Sequence, residues 1–334
     1  MISAMPFLLA CAACLAALLA YGYCSNFFFR AEHYKLPVPG MKAGQEAPPG
    51  QPEAPEWMAT PAQLASPTQS ASPAQLASPA QLASPTQLAS PARIVMLADL
   101  HGMVFGRNNE RLLRKIVSLS PDLICIAGDM TVKDGSGSAS CIALCRELTR
   151  ICPVYYAMGN HEIRMENYLD FCAELRKTGV FVLDNEHVHF FAAGKKFVVH
   201  GWNADEAYYH KCWQKRVLTA EELSAQLGVP EPGAYHILLA HNPEYFPTYC
   251  AWGADLVLSG HVHGGIARLP FAGGVIAPSL RLFPRYDAGE FREGNKTMIL
   301  SRGLGTHHIR LRFFNVPEMS VIDLYGKDVA KREP

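Results

Sequence analysis

Two histidines, His261 and His263, stand one residue apart in Leu258-Ser259-Gly260-His261-Val262-His263-Gly264-Gly265. They follow the apolar run Ala254-Asp255-Leu256-Val257-Leu258. A run of that size bounded by glycine reads as a buried strand. Glycine lets the chain turn sharply off the sheet, so both imidazoles can reach one site at the strand's C-terminal end. Neutral imidazole is the commonest metal ligand among side chains. His-x-His alone is weak evidence for a metal; matching clusters at other strand ends make it strong. Four more apolar runs end in such clusters: Asp99 and His101 after residues 93–98, Asp129 after 123–127, Asn160 and His161 after 154–158, and His241 after 236–240.

These types fit a two-metal centre. Two ions about 3.5–4 Å apart are held by a bridging carboxylate. Asp129, on a glycine turn, is the natural bridge, and water would be the nucleophile. No cysteine lies in any cluster, and the mixed N/O set suits Mn, Fe, Zn or Co. Two divalent metal ions are therefore the expected cofactors.

The elements that must position these residues alternate between strand and helix, which predicts an α/β domain. Helical spacing is clear over 109–119, where Leu112, Leu113, Ile116 and Val117 share a face, and over 139–151 and 166–177. Residues 180–183, 188–191, 196–200, 296–300 and 319–324 read as strands. Thr219 and Glu222 form a capping box that opens a short helix ending near Gly228. In open α/β sheets, sites collect at the carboxyl ends of strands, where all five clusters lie.

In this order, Asp-x-His, Gly-Asp, Gly-Asn-His-Glu, His-Asn-Pro and Gly-His-x-His resemble the calcineurin-like metallophosphoesterase superfamily, over residues 93–325. The resemblance implies a four-layer αββα fold, two mixed β-sheets flanked by helices. It implies that Asp99, His101, Asp129 and His263 hold one metal, and that Asp129, Asn160, His241 and His261 hold the other. His161 would face the substrate, stabilising the transition state or protonating the leaving oxygen. Glu162 stands where the family more often has Asp. The implied activity is hydrolysis of phosphoric esters or anhydrides.

A closer resemblance is to membrane-anchored bacterial phosphodiesterases of this superfamily, through Gly106-Arg107-Asn108-Asn109, Gly264-Gly265-Ile266-Ala267-Arg268-Leu269-Pro270 and Ser301-Arg302-Gly303-Leu304-Gly305-Thr306. Residues 1–29 carry no charged side chain and are long enough to span a hydrocarbon core of about 30 Å. With no basic n-region, they read as one uncleaved transmembrane helix rather than a signal peptide. Arg30, Lys35 and Lys42 follow the span, which places the body on the cytoplasmic face. Residues 26–38 are expected to add a strand, from Phe27 to Leu36, to the catalytic domain of 93–328. Between them, 41–92 carry a hexapeptide close to Ala-Ser-Pro-Ala-Gln-Leu, read as a disordered Pro-rich tether or loop insertion. The anchor makes a lipid-linked substrate plausible, and a UDP-diacylglucosamine pyrophosphatase-like reaction is one candidate.

Lys plus Arg equals Asp plus Glu at 30 each, so no nucleic-acid partner is expected. Of ten cysteines, the seven in the main body are scattered singly and read as reduced thiols. His200 and His236 read as structural, His187 and His189 as surface, and His307 and His308 as solvated loop. Arg268, Arg281, Arg285, Arg292 and Arg302 make the region after the site basic, with Arg302 the best candidate for substrate phosphate. Trp202, Tyr208, Tyr209 and Trp213 would form either a lid or packing. The rival from another class, a non-catalytic scaffold, would be expected to lack some of the ligands present here.

Overall fold

A computed structural model describes residues 5–42, 87–88, 92–209, 216–269, 271, 273–276, 282–306 and 310–326. The Pro-rich repeat, apart from 87–88 and 92, lies outside the described residues, as do Trp213, Arg281, His307 and His308.

The chain opens with α1 (Met5–Cys24), followed by β1 (Arg30–Val38), the short β2 (Gln87–Leu88) and β3 (Ala92–Leu97). Next come α2 (Glu110–Leu119), β4 (Leu123–Ala127), α3 (Ser138–Leu148), β5 (Val154–Ala157), α4 (Tyr168–Lys177) and β6 (Phe181–Val182). Strands β7 (His187–Ala192) and β8 (Lys195–Trp202) lead to α5 (Ala220–Leu227), β9 (Tyr235–Ala240), α6 (Phe246–Trp252) and β10 (Leu256–Ser259). The last elements are β11 (Arg268–Leu269), β12 (Gly273–Gly274), β13 (Gly289–Glu293), β14 (Lys296–Leu300) and β15 (Glu318–Gly326).

Two mixed sheets form the centre. One has the order β1-β15-β3-β4-β5-β6 and the other β13-β14-β10-β9-β8-β7-β2. Period-2 alternation makes the strands two-faced. In β3, Ile94 and Met96 join the core between the sheets, while Val95 and Leu97 join the core under α2, α3 and α4. Ile237 and Leu239 of β9 face the same inter-sheet core, and Leu238 and Ala240 pack under α5 and α6. The result is the expected four-layer αββα arrangement, with strands that read as unbroken apolar runs because both faces are buried.

Local signals account for the helices. Leu112, Leu113, Ile116 and Leu119 are the buried face of α2. Both bonds of the Thr219–Glu222 capping box form at the start of α5. Helix α6 carries no such periodic signal: it is seven residues long, three of them aromatic, and it follows a short 3-10 turn, Pro243–Tyr245, capped by Asn242, whose Oδ1 accepts from the Glu244 N–H at 3.0 Å. Strand β1 begins three residues later than expected and pairs in parallel with β15 along nine residues. Helix α1 and the 3-10 turn after it, Ser25–Phe27, carry an apolar stretch, Leu9–Phe27, long and apolar enough to cross a membrane, with Leu9, Leu15 and Leu18 exposed along it.

Candidate metal centre

Parallel pairing sets the positions of the ligand clusters. Strands β3, β4 and β5 run in parallel, as do β8, β9 and β10, so their C-terminal ends collect on one side. Asp99, Asp129, Asn160, His241 and His261 each stand one to three residues past such an end. The turns are sharp: Asp99, His101, Asp129, His261 and His263 all have positive φ, between 47° and 77°. This left-handed region is uncommon outside glycine, though Asp and His are enriched there among other residues. Five strained residues at one site, at about 1–3 kcal/mol each, mark a constellation that the surrounding fold must enforce.

The enforcing contacts cross between motifs. Both oxygens of Asp99 accept the His261 N–H, at 3.0 and 3.1 Å. Asp129 Oδ1 accepts the His161 N–H at 2.8 Å. Gly159 permits this approach, since a Cβ there would collide with the Asp129 carboxylate and backbone nitrogen. Beneath Asp129 lies Glu162, fully buried. Its carboxylate accepts from the backbone N–H groups of Asp129, Met130, Thr131 and Gly159 and from the Tyr156 hydroxyl, at 2.7–3.2 Å. Glu162 therefore fixes the turn that carries Asp129.

The histidine tautomers follow from their second partners. His241 Nδ1 lies 2.6 Å from the Ala127 carbonyl, and a carbonyl can only accept, so Nδ1 carries a proton. His263 Nδ1 is held likewise by the Gly305 carbonyl at 3.2 Å. Their Nε2 atoms turn inward. His263 Nε2 lies 3.0 Å from His101 Nε2 and 3.4 Å from Asp99 Oδ1; His241 Nε2 lies 3.1 Å from Asp129 Oδ2 and 3.8 Å from Asp99 Oδ1. Atoms 3–4 Å apart have the spacing of ligands sharing an ion at about 2.0–2.2 Å.

Two observations test whether a cation fits. Among the described residues, the buried Asn160 Oδ1 has no hydrogen-bond partner, and neither does His241 Nε2 in hydrogen-bond geometry, although carboxylate oxygens of Asp129 and Asp99 lie 3.1 and 3.8 Å from the latter. Buried polar atoms in proteins are paired as a rule, and a histidine lone pair facing two carboxylates calls for a positive charge between them. The electrostatics agree. Burial lifts the Asp99 carboxyl to about 7, with His241 opposing and Asp129 reinforcing. Burial also pushes Asp129 up, but His241, His101 and His161 reverse this and hold it well below the usual carboxylate range. Burial and then His101 press His263 well below the usual imidazole range, which keeps it neutral and ready to ligate. The residues present fit metal ions, in three overlapping groups: Asp99, His101 and His263; His101, Asp129 and His161; Asp129, His241 and His261.

The calcineurin-like phosphoesterase description matches residues 92–265, the segment that carries every one of these ligands. The chain belongs to the calcineurin-like phosphoesterase family. It is similar to an uncharacterized metallophosphoesterase of Aquifex aeolicus, 31% identical over 242 residues, covering 70% of this chain and 85% of that one. It is also similar to the phosphodiesterase YaeI of Escherichia coli, 28% identical over 243 residues, with coverage of 70% and 82%. A metallophosphoesterase-family protein of Caenorhabditis elegans is 32% identical over 182 residues, and of that longer chain this one spans 36%. This phosphoesterase is a hydrolase of phosphoric esters, of a family whose relatives are described as metallophosphoesterases.

Several residues in and around the site carry no motif in the sequence. Arg312 is fully buried and donates to the carbonyls of Arg302, Gly303 and Gly305. It thereby holds the Gly305 carbonyl that orients His263. Asn315 donates to the carbonyls of His263 and Gly265. The Tyr209 ring lies against those of His261 and His241, at 5.3 and 6.1 Å. Trp202 and Tyr208 pack into the core with Tyr245 and Tyr249 and form no lid. Arg302, the arginine favoured for substrate phosphate, instead pairs with the buried Glu318 at 3.2 Å. Arg268 pairs with Asp287 and Arg292 with Glu290.

Proposed function

We propose that this protein hydrolyses a phosphodiester at a membrane surface, with a dinuclear centre held by Asp99, His101, Asp129, Asn160, His241, His261 and His263. The observation that carries the reading is the convergence of Asp99, His101, Asp129, His241, His261 and His263, with acceptor facing acceptor between His241 and Asp129. Asp129, whose Oδ2 lies 3.1 Å from His241 Nε2 and 3.9 Å from His101 Nε2, would be the carboxylate shared by the two ions. Two divalent ions bound here, of Mn, Fe, Zn or Co, would supply charge neutralisation at the phosphoryl oxygens and acidify a water.

The chain's own residues do the rest. Asp99 and Asp129 are locked by backbone N–H groups and keep the ligand histidines in place. His161 supplies the proton. Its Nδ1 accepts from the Lys133 N–H at 3.1 Å, so in the neutral ring the proton sits on Nε2. Water attacks phosphorus in line and gives up a proton to solvent, the bond to the leaving oxygen breaks, that oxygen takes the proton from His161 Nε2, and solvent returns a proton to the ring. Lys133 and Asp129 hold the His161 backbone and ring in register for this transfer.

Helix α1 supports placing the reaction at a membrane, as a single-pass anchor over residues 1–29. Arg30, Lys35 and Lys42 behind it support a cytoplasmic domain. The anchor also favours a second reading, in which the substrate is a lipid-linked sugar diphosphate like UDP-diacylglucosamine and the bond broken is a phosphoanhydride.

The test is hydrolysis of bis-p-nitrophenyl phosphate, p-nitrophenyl phosphate and a UDP-linked lipid sugar by the full chain, with Mn²⁺ or EDTA. Metal-dependent turnover of the diester, lost in Asp129→Ala, is the expected result. Preference for the lipid sugar selects the second reading. A protein that binds no metal overturns both.

A further inference from the structure

The end of α1 is not free of the catalytic body. The Arg312 N–H donates to the Gly22 carbonyl at 2.9 Å, and Asn26 Nδ2 donates to the Arg310 carbonyl at 2.9 Å. The Phe313 ring occupies the space where Gly22 lacks a Cβ, and the Phe314 ring lies 5.7 Å from that of Tyr21. Tyr21 and Gly22 lie five to six residues before Phe27, the end of the apolar stretch. At about 1.5 Å per helical residue, Phe313 and Phe314 touch the helix roughly 8 Å inside that end.

From this contact a row of short segments extends sideways. Phe313 pairs with Ala267, through bonds to Ile266 and Arg268. The hairpin of β11 and β12 follows, and Val275 and Ile276 pair with Phe283 and Leu282. Large apolar side chains stand out along the row: Leu269, Leu282, Phe283 and Phe314 are 51–63% exposed, and Phe271 at the hairpin tip is fully exposed. Phe271, Phe283 and Phe314 all have positive φ, so tight turns hold these rings outward. A cluster of such groups is unlike singly scattered surface apolars and marks an interaction surface. Just past the end of the apolar stretch, Arg30 from β1 and Arg111, Arg114 and Lys115 from α2 line one concavity.

We propose that this platform, Leu269, Phe271, Leu282, Phe283 and Phe314, inserts into the bilayer interface beside α1, with the arginine and lysine cluster facing lipid headgroups. Interfacial elements embed about 5–10 Å, which matches the depth at which Phe314 meets α1. Aromatic rings favour that layer, and cations just outside it meet anionic headgroups. The platform also reaches the metal centre. Its hairpin leaves directly from His263-Gly264-Gly265, and Asn315, next to Phe314, holds the His263 carbonyl at 2.7 Å. Docking therefore holds the ligand loop next to the lipid surface, where a lipid-borne phosphoester would enter. The inference rests on the reading of α1 as a membrane span.

The test uses the full chain reconstituted in phosphatidylcholine vesicles containing phosphatidylglycerol. Tryptophan is introduced by Phe271→Trp, by Phe283→Trp and, as control, by Val229→Trp. Val229 is exposed ahead of the N-terminal end of β9, opposite the site. Emission added over the wild type is read with and without lipids brominated near the headgroup end of the acyl chain. The expected result is a blue shift and loss of about half or more of the added emission at 271 and 283, with none at 229, as an embedded depth of about 5–10 Å requires. No quenching at 271 and 283, in protein that stays with the vesicles through an alkaline wash, overturns the platform and leaves the span intact. Quenching at all three sites means general adsorption and also overturns it. Protein released by the wash overturns the span and the platform together.

Discussion

The imidazole of His241 faces the carboxylate of Asp129, Nε2 to Oδ2 at 3.1 Å, while its Nδ1 is committed to the Ala127 carbonyl at 2.6 Å. Burial would lower this imidazole, but Asp129 and then Asp99 raise it to about 10 in the absence of a cation. The field that would draw a proton to Nε2 draws a metal ion equally, and proton and metal compete for one lone pair. His241→Ala is expected to lower bound metal from about two ions per chain to about one, since one half of a two-metal site loses its buried nitrogen. Elemental analysis after gel filtration checks the stoichiometry.

His161→Ala should leave metal content unchanged and lower turnover by about 10²–10⁴-fold, the contribution of a general acid. The loss should be larger for an alkyl leaving group than for p-nitrophenolate, which departs without a proton. Equal losses on both substrates would assign His161 a role in binding phosphate instead of protonating the leaving oxygen.

Glu162 accepts four backbone N–H groups and a hydroxyl within the core. Glu162→Gln places an amide donor against those donors. Each buried group left unsatisfied costs about 1–3 kcal/mol, so a destabilisation of about 3 kcal/mol or more is expected. Tyr156→Phe removes a single charge-assisted bond and should cost about 1.5–3 kcal/mol. Denaturant unfolding of the two variants checks the order.

His200 and His236 share a buried hydrogen bond of 3.0 Å, and His236 Nε2 is committed to the Glu231 carbonyl. Burial, with His236 and His187 adding to it, pushes His200 down to about 3. The folded protein keeps His200 neutral where the unfolded chain takes up a proton. Its contribution is therefore whole above about pH 6.5 and declines as pH falls towards 3, by about 1.4 kcal/mol per pH unit. In His200→Gln this decline is absent, so the variant should gain relative to the wild type as pH falls. Urea unfolding between pH 6.5 and 4.5 measures the difference.

The candidate clusters were legible because each is a local event: a two-faced strand reads as an apolar run, and polar residues at its end must face a turn. The helices α2 and α5 were legible for the same reason, one from its buried face and the other from its cap. Helix α6 and the β11–β12 hairpin were not, since neither repeats long enough to show a period. Arg302 looked free for substrate because its partner Glu318 lies 16 residues away on a strand that β1 and β3 position.

By itself, the sequence determined the kinds of candidate ligand, their order, the strands that carry them and an apolar N-terminal helix. Only the tertiary structure decided which atoms meet. It set the tautomers of His241 and His263 through the Ala127 and Gly305 carbonyls, 114 and 42 residues away. It placed Glu162 under Asp129, Arg312 behind Gly305, and Phe314 against α1. The physical reason is range: side-chain type and period-2 alternation act over a few residues, whereas a lone pair is oriented by whatever the packing of distant strands brings within 3 Å of it.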